Sequence, residues 1–275
     1  PCMLYRLGAQ TPLAQLLDPV AALLYLLCAL VLVGTTVALT RRGAIGWSDA
    51  AFGALVVTFP NSGFMGIPLL AALLGERSSA PVLLTLALDM VVVTSLCIAL
   101  SRLDGASGQG ALAALRKALR GIAVNPMPWA IALGALASWQ QWQLPQAIEQ
   151  TVAMLAAAAS PVALFTMGAV LARSHMHLHD SVAPRLYVPL ALAKLVAQPL
   201  LLWLLGQAAR ALGAPLPDST LAALVLVAAL PSASNVVLLV ERYGAHSGRV
   251  ARVILVSTVL SFLSFPIAVA WMLPK

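Results

Sequence analysis

Charged residues are scarce in this sequence, and their scarcity excludes the class of soluble globular proteins. Only 9% of the 275 residues are Asp, Glu, Lys or Arg, 61% are hydrophobic, and the mean hydropathy is +0.95. Soluble domains carry about a quarter charged residues. We therefore interpret the chain as a membrane protein.

Cysteines and catalytic motifs are also rare. Cys2, Cys28 and Cys97 lie far apart and match neither a metal-ligand nor a redox spacing, so we interpret them as small packing residues. The sequence contains no nucleophile–base arrangement, no glycine-rich phosphate loop and no nucleotide motif. It therefore predicts neither an enzyme nor a bound cofactor or metal, and it argues against ATP-driven transport by this chain alone.

The sequence instead consists largely of long apolar runs. Each has 18 or more residues, which as a helix is enough to cross a hydrocarbon core of about 30 Å. The pattern predicts an all-α integral membrane protein with several spans. The eight runs are Pro19–Thr40, Ala50–Gly75, Ser78–Ser101, Ile122–Trp139, Thr151–Ala172, Leu186–Ala209, Ser219–Val240 and Val253–Leu273.

The basic residues are distributed unevenly between the loops. If each run crosses once and the loop with Arg41 and Arg42 faces the cytoplasm, eleven Lys or Arg residues lie on the cytoplasmic side and four on the other. Membrane proteins show this positive-inside bias. The net charge of +7 therefore reflects topology and does not indicate a nucleic-acid partner.

The sequence also divides into two similar halves. PCMLYRLGA (1–9) resembles PVALFTMGA (161–169), and TFPNSGFMGIPLL (58–70) occupies the place of ALPSASNVVLLVE (229–241). An odd number of spans in each half would give the halves opposite directions, as in the inverted repeats of many carriers. We predict a first repeat over 1–101, a cytoplasmic linker over 102–121 and a second repeat over 122–275.

The two predicted repeats differ in length. The second contains five runs, whereas the first contains three and a short stub at residues 1–12. If the halves match, we expect about one and a half further spans before Pro1, as the repeat plan of carriers requires. The natural chain would then have ten.

A proline interrupts one apolar run in each half. Pro60 has no N–H for the carbonyl of Val56, and Pro231 has none for the carbonyl of Val227. Lipid offers no replacement donor, so such a break is expected only where protein or a water-filled cavity surrounds it. We predict two broken helices, one per half, that meet in the middle of the membrane.

A new half-helix should begin after each proline. Its first N–H groups lack acceptors, and they make the helix start a favourable seat for a carboxylate. Asn61 and Ser62 in the first half, or Ser232 and Ser234 in the second, are of N-capping types. Gly63 and Gly66 would permit close approach of the two helices. A kinked helix without a ligand is the alternative.

Several motifs resemble the auxin efflux carrier family of membrane transporters. PNSGFMGIPLLAALLG (60–75) is similar to the family's first crossover motif. NPMPWAIALGAL (125–136), SPVALFTMGAVLA (160–172), KLVAQP (194–199) and ALPSASNVVLLVERYG (229–244) resemble its second-half motifs. PCMLYRL at the start resembles the Pro-x-x-Leu-Phe element of its second span.

The resemblance implies ten helices in two inverted five-helix repeats, with a scaffold part and a transport part. It also implies transport of organic anions by alternating access, and bacterial members are usually assigned to malonate, malate or similar carboxylates. Asn61 matches the family's anion-contacting Asn, and Pro60 and Pro231 match its crossover prolines. Asn125 falls in an Asn-Pro element, but Met127 stands where plant members place another Asn, so auxin itself is not carried over.

Two ionisable residues lie inside apolar runs. Asp89 is near the middle of its run, where a charge is costly, and it is a candidate proton or cation coupling site. Lys194 could attract the anion, neutralise Asp89 or extend to the interface. HMHLHD (175–180) could bind a metal, although a solvated cytoplasmic loop is the simpler interpretation.

The sequence therefore predicts a secondary carrier of small organic anions in a bacterial inner membrane. H⁺ or Na⁺ is the candidate coupling ion, and a homodimer is left open. The alternatives are a sodium-coupled symporter of related fold and a membrane sensor that binds its ligand without moving it. The predicted substrate-binding residues are Pro60, Asn61, Ser62, Gly63, Asn125, Pro231, Ser232, Ser234 and Asn235.

Overall fold

Helices make up the fold throughout the described part of the chain. The computed structural model describes residues 1–12, 18–41, 45–75, 79–103, 126–142, 144–176 and 182–273. The expected all-α class is confirmed there. In chain order the helices are α1 Cys2–Gln10, α2 Pro19–Thr40, α3 Trp47–Thr58, α4 Ser62–Leu74, α5 Ser79–Ser101, α6 Pro126–Gln140, α7 Gln146–Met176, α8 Val188–Ala211, α9 Asp218–Ala228, α10 Val236–Tyr243 and α11 Ser247–Met272.

Local sequence signals fix several helix ends. The carboxylate of Asp18 accepts hydrogen bonds from the N–H groups of Val20 and Ala21, at 2.9 and 3.1 Å, and so caps the start of α2. A glycine ends α10 at its C-terminus. The C-cap residue Gly244 has a φ of +71°, a left-handed conformation that favours glycine.

Four of the described helices are long and apolar enough to cross a membrane: α2, α5, α8 and α11. Two shorter apolar helices, α4 and α9, accompany them. The predicted runs Ala50–Gly75 and Ser219–Val240 are each divided into two helices, α3 with α4 and α9 with α10. The chain is therefore a multi-pass membrane protein in which two apolar runs do not form continuous helices.

The helices form two groups that also contact each other, α1 with α5 and α7 with α4 and α11. In the first, called the three-helix group, α1 packs against both α6 and α7. Gly8 and Gly134 bring α1 and α6 so close that a Cβ on Gly134 would lie 3.0 Å from the Cα of Gly8. The other eight helices form the main group, whose core includes the fully buried Phe52, Leu83 and Leu224.

Two long helices of the main group each contain one π-helical turn. These turns span Asp89–Val93 in α5 and Ala193–Ala197 in α8, where the N–H groups of Thr94 and Gln198 donate five residues back along the chain. π-Turns occur mostly as single-turn insertions inside α-helices and are frequent at functional sites. Each holds one of the two ionisable residues that the sequence places inside an apolar run.

Candidate functional site

Both broken helices are interrupted at the expected prolines. α3 ends at Thr58 and α4 begins at Ser62, with Pro60 between them. In the second half α9 ends at Ala228 and α10 begins at Val236, with Pro231 between them. The two interruptions are the structural basis of the candidate site.

The backbone of one break is hydrogen bonded to the backbone of the other. Asn61 donates its N–H to the carbonyl of Pro231 at 2.8 Å, and Ala233 donates its N–H to the carbonyl of Phe59 at 2.9 Å. Pro60 and Ser232 are thereby paired as an isolated antiparallel bridge. The bonds that each chain segment loses by leaving its helix are thus partly restored by the other segment.

A side chain of the second break replaces the hydrogen bond that Pro60 cannot make. The hydroxyl of Ser232 donates to the carbonyl of Val56 at 2.7 Å, and this is the carbonyl four residues before the proline. The N–H of Ser232 donates to the hydroxyl of Ser257 on α11 at 3.2 Å. The Ser232 hydroxyl therefore satisfies the carbonyl group that Pro60 leaves without a donor.

The expected side-chain caps are not made, and that part of the prediction is wrong. Asn61 holds the N-cap position of α4 and forms no side-chain capping bond. The N-cap position of α10 falls to Asn235 and not to the predicted Ser232 or Ser234, and it too lacks a side-chain capping bond. The backbone carbonyl of Asn61 instead accepts from the N–H groups of Met65 and Gly66, both at 3.0 Å. The Ser62 hydroxyl is buried and has no hydrogen-bond partner among the described residues.

Two buried side chains of α8 donate hydrogen bonds to the last carbonyl groups of the helices that precede the breaks. Lys194 donates from Nζ to the carbonyl of Ala228 at 2.9 Å and also to the side chain of Gln198. Gln198 in turn donates from Nε2 to the carbonyl of Thr58 at 2.8 Å. Thr58 and Ala228 are the last residues of α3 and α9. The Lys194–Gln198 pair therefore supplies a hydrogen-bond donor to the C-terminal end of each helix.

Asp89 lies in the same interior region but does not bind Lys194 directly. Its Oδ2 accepts a hydrogen bond from the hydroxyl of Tyr25 at 2.7 Å, and its buried Oδ1 has no partner in the described part of the chain. No ion pair joins its carboxyl group to Lys194, although the two are close enough to interact electrostatically. The pairing left open by the sequence is therefore not a direct contact.

A cavity of about 450 Å³ lies where the breaks face the three-helix group. From the breaks it is lined by Phe59, Pro60, Asn61, Gly63, Phe64, Ala233 and Asn235. Met3 and Leu4 of α1, Ala159 and Val162 of α7, and Leu86 and Met90 of α5 complete most of the wall. Two asparagines thus provide the polar side chains of an otherwise apolar described lining.

The start of α4 faces this cavity. Gly63 is exposed there, and a Cβ on it would meet nothing closer than the Leu86 side chain at 4.0 Å. No hydrogen bond among the described residues uses the N–H of Gly63 or Phe64. Because free N–H groups at a helix start carry partial positive charge, this wall suits an anionic group.

The structure brings together most of the predicted site residues. Pro60, Asn61, Gly63 and Asn235 line the cavity, whereas Ser62, Pro231, Ser232 and Ser234 are buried within the two breaks. Asn125 lies outside the described residues, as does most of the histidine motif at 175–180. Sequence reasoning missed Tyr25 and Gln198, although Gln198 stands four residues after Lys194 and so on the same helix face.

An apolar helical bundle with two mutually bonded helix breaks and a cavity beside them is the architecture of a membrane transport protein. A family model described as membrane transport protein matches residues 1–269. The chain therefore belongs to this family, the auxin efflux carrier family that the sequence motifs resemble.

Two bacterial relatives are similar over most of the chain. The "Putative malonate transporter" of Rhizobium meliloti (strain 1021) is 27% identical over 272 residues, which are 95% of this chain and 79% of the relative. The "Uncharacterized transporter YfdV" of Escherichia coli (strain K12) is 28% identical over 217 residues, 78% of this chain and 66% of the relative. Both names describe transporters, in agreement with the family.

Proposed function

We propose that this protein is a secondary active transporter that carries small organic anions across the bacterial inner membrane by alternating access. Carboxylates such as malonate or malate are the proposed substrates. The cavity at the two bonded breaks carries the proposal, because it combines the free N–H groups of an intramembrane helix start with the amide of Asn61. The name of the Rhizobium meliloti relative supports the choice of acids.

The electrostatics of the cavity favour anion binding without a fixed positive charge. Each helix start contributes roughly half an elementary positive charge. The described lining holds no Lys or Arg, so a carboxylate there would be held by N–H groups and by the amides of Asn61 and Asn235. A carrier must also release its solute, and a site without a fixed positive charge is compatible with release.

The packing of the helices supports alternating access. The cavity lies between α1 and α7 of the three-helix group on one side and the breaks of the main group on the other. Sliding or rocking of one group against the other would carry the site from one membrane face to the opposite face. We propose that the three-helix group belongs to the scaffold and that the main group carries the solute.

The order of the helices supports an inverted repeat. In the proposed repeats, over 1–101 and 122–275, a long apolar helix precedes each broken pair and another follows it, α2 and α5 in the first and α8 and α11 in the second. The repeats would contribute one break each to the shared site. The linker over 102–121 would join them on the cytoplasmic side.

Uptake into proteoliposomes tests the proposal. Labelled malonate, malate and indole acetate would be offered to vesicles that contain the wild type, Asn61→Ala, or Gln150→Ala as a control on the exposed face of α7. We expect saturable uptake of one acid by the wild type and the control, and its loss in Asn61→Ala. Binding without accumulation, under any imposed gradient, would instead identify a ligand sensor.

A further inference from the structure

A buried polar cluster lies beside the breaks and separate from the described lining of the cavity. Its members are Tyr25, Asp89, Lys194 and Gln198, and each is at most 1% exposed. Tyr25 donates a hydrogen bond to one carboxyl oxygen of Asp89, while the other, Oδ1, has no hydrogen-bond partner within the residues that the structure describes. An unpaired buried charge costs far more free energy than an unpaired neutral group. The geometry therefore fits an Asp89 that holds a proton.

Lys194 is bound to acceptors other than Asp89. Its Nζ donates to Gln198 and to the carbonyl of Ala228, and the Gln198 amide extends the chain of hydrogen bonds to the carbonyl of Thr58. These two carbonyls end the helices that run into the breaks. The Lys194 ammonium group is thus the donor to the end of α9, and it also contacts the Gln198 side chain that donates to the end of α3.

Few titratable groups face Asp89 in the described structure. They are Tyr25 and Cys28 from α2, Cys97 from its own helix and Lys194 from α8. Of these side-chain types, lysine alone is ordinarily charged at neutral pH. A carboxylate formed at Asp89 would therefore be attracted to Lys194, and this attraction would compete with the carbonyl of Ala228.

We propose that Asp89 is the proton-binding site of the carrier and that its proton controls the Lys194 contacts at the breaks. With the proton bound, Asp89 is neutral and Lys194 stays on Ala228. When the proton passes to water, the carboxylate draws Lys194 away and leaves the end of α9 without its donor. This inference rests on the proposed function: each transport cycle would take one proton from water on one side and release it to water on the other.

Infrared spectroscopy tests proton binding without any substrate. The full-length protein in detergent would be compared with Asp89→Asn, which is similar in shape and permanently neutral, and with Asp218→Asn, an exposed surface carboxylate. We expect a protonated-carboxyl C=O band at neutral pH in the wild type and in Asp218→Asn, and no such band in Asp89→Asn. A wild-type spectrum with no band assignable to Asp89 would overturn the inference.

A second variant keeps the test decisive if Asp89→Asn does not fold. Tyr25→Phe removes the donor to Oδ2 and leaves the carboxyl in place. If Asp89→Asn does not fold, the band in Tyr25→Phe should shift in frequency, because its carboxyl has lost a hydrogen bond. A band at the wild-type frequency in Tyr25→Phe would assign it to another residue and reject Asp89.

Malonate uptake in proteoliposomes then tests coupling. Uptake would be measured with and without a pH gradient, and exchange of internal for external malonate without one. We expect the pH gradient to stimulate malonate uptake by the wild type and by Asp218→Asn. Asp89→Asn should retain malonate exchange, but its uptake should be the same with and without the gradient. An unchanged ratio of uptake with and without the gradient in Asp89→Asn would reject Asp89 as the coupling site. Absence of both uptake and exchange in the wild type would count against malonate transport, and the infrared result would stand by itself.

Discussion

The guanidinium group of Arg249 occupies the space where a β-carbon on residue 53 would be. Arg249 lies near the start of α11, only 4% exposed, and Nη2 donates to the backbone carbonyl of Asp49 at 3.1 Å. Gly53 is one turn further along α3, and its lack of a side chain leaves room for the arginine. Asp49 also accepts the N–H of His246 at 2.8 Å. This contact ties the start of α3 to the start of α11.

Gly53→Ala should destabilise this contact. The added methyl would collide with the guanidinium of Arg249, which must then leave the Asp49 carbonyl or shift α11. Overpacking of this kind costs about 1–3 kcal/mol. Thermal unfolding in detergent should show a lower midpoint for Gly53→Ala. Gly34→Ala is the control, because a Cβ at that position of α2 meets nothing within 4 Å.

Gly134→Ala should weaken the three-helix group more severely. Its Cβ would meet backbone atoms of α1, including the carbonyl of Tyr5 and the N–H of Ala9, and backbone cannot rotate away as a side chain can. We expect a larger fall in the unfolding midpoint than for Gly53→Ala, with the same Gly34→Ala control. Equal midpoints for Gly134→Ala and its control would show that α1 and α6 are not in contact.

Ser232→Ala should open the first break. The substitution removes the donor to the carbonyl of Val56, which Pro60 cannot supply. Leaving a buried acceptor unsatisfied costs about 1–3 kcal/mol. The unfolding midpoint and the rate of malonate uptake should both fall. Ser234→Ala is matched in chemistry and burial but removes no hydrogen bond of the described residues, so it should retain the wild-type unfolding midpoint.

Gln198→Leu should act on both helix ends together. It deprives the carbonyl of Thr58 of its donor and Lys194 of one acceptor, while the volume and helix propensity change little. We expect a loss of about 1–3 kcal/mol in unfolding free energy from the unsatisfied carbonyl. Gln207→Leu on the exposed face of the same helix should be neutral. If the two variants have the same unfolding free energy, the hydrogen bond from Gln198 to the Thr58 carbonyl does not contribute to stability.

The breaks could be predicted from the sequence because their cause is local. Proline removes a specific backbone donor, and the Asn-Ser-Gly after Pro60 distinguishes it from Pro266, which lies inside the continuous α11. Proline alone would have predicted too many breaks. The meeting of Pro60 and Pro231 followed from the similarity of the two halves, which placed them at corresponding positions.

Other features depend on contacts that no local pattern encodes. Ser232 and Val56 are 176 residues apart, so the use of that hydroxyl could not be foreseen, and the expectation of a cap was wrong. The π-turns at Asp89 and Lys194 have no sequence signature. The sequence places Asp89 and Lys194 inside apolar runs, but their separate partners, Tyr25 and Gln198, follow from packing alone.

The bonds that join the two breaks have a consequence for how this protein can evolve. They run between the backbone groups of Asn61 and Pro231 and of Ala233 and Phe59, so most substitutions at these positions leave them in place. Asn61 and Ala233 nevertheless line the cavity beside the breaks. Under the proposed function, mutation at these positions can change what the cavity recognises while the backbone bonds between the breaks remain. The proposed carrier could then acquire a new solute without first losing its fold.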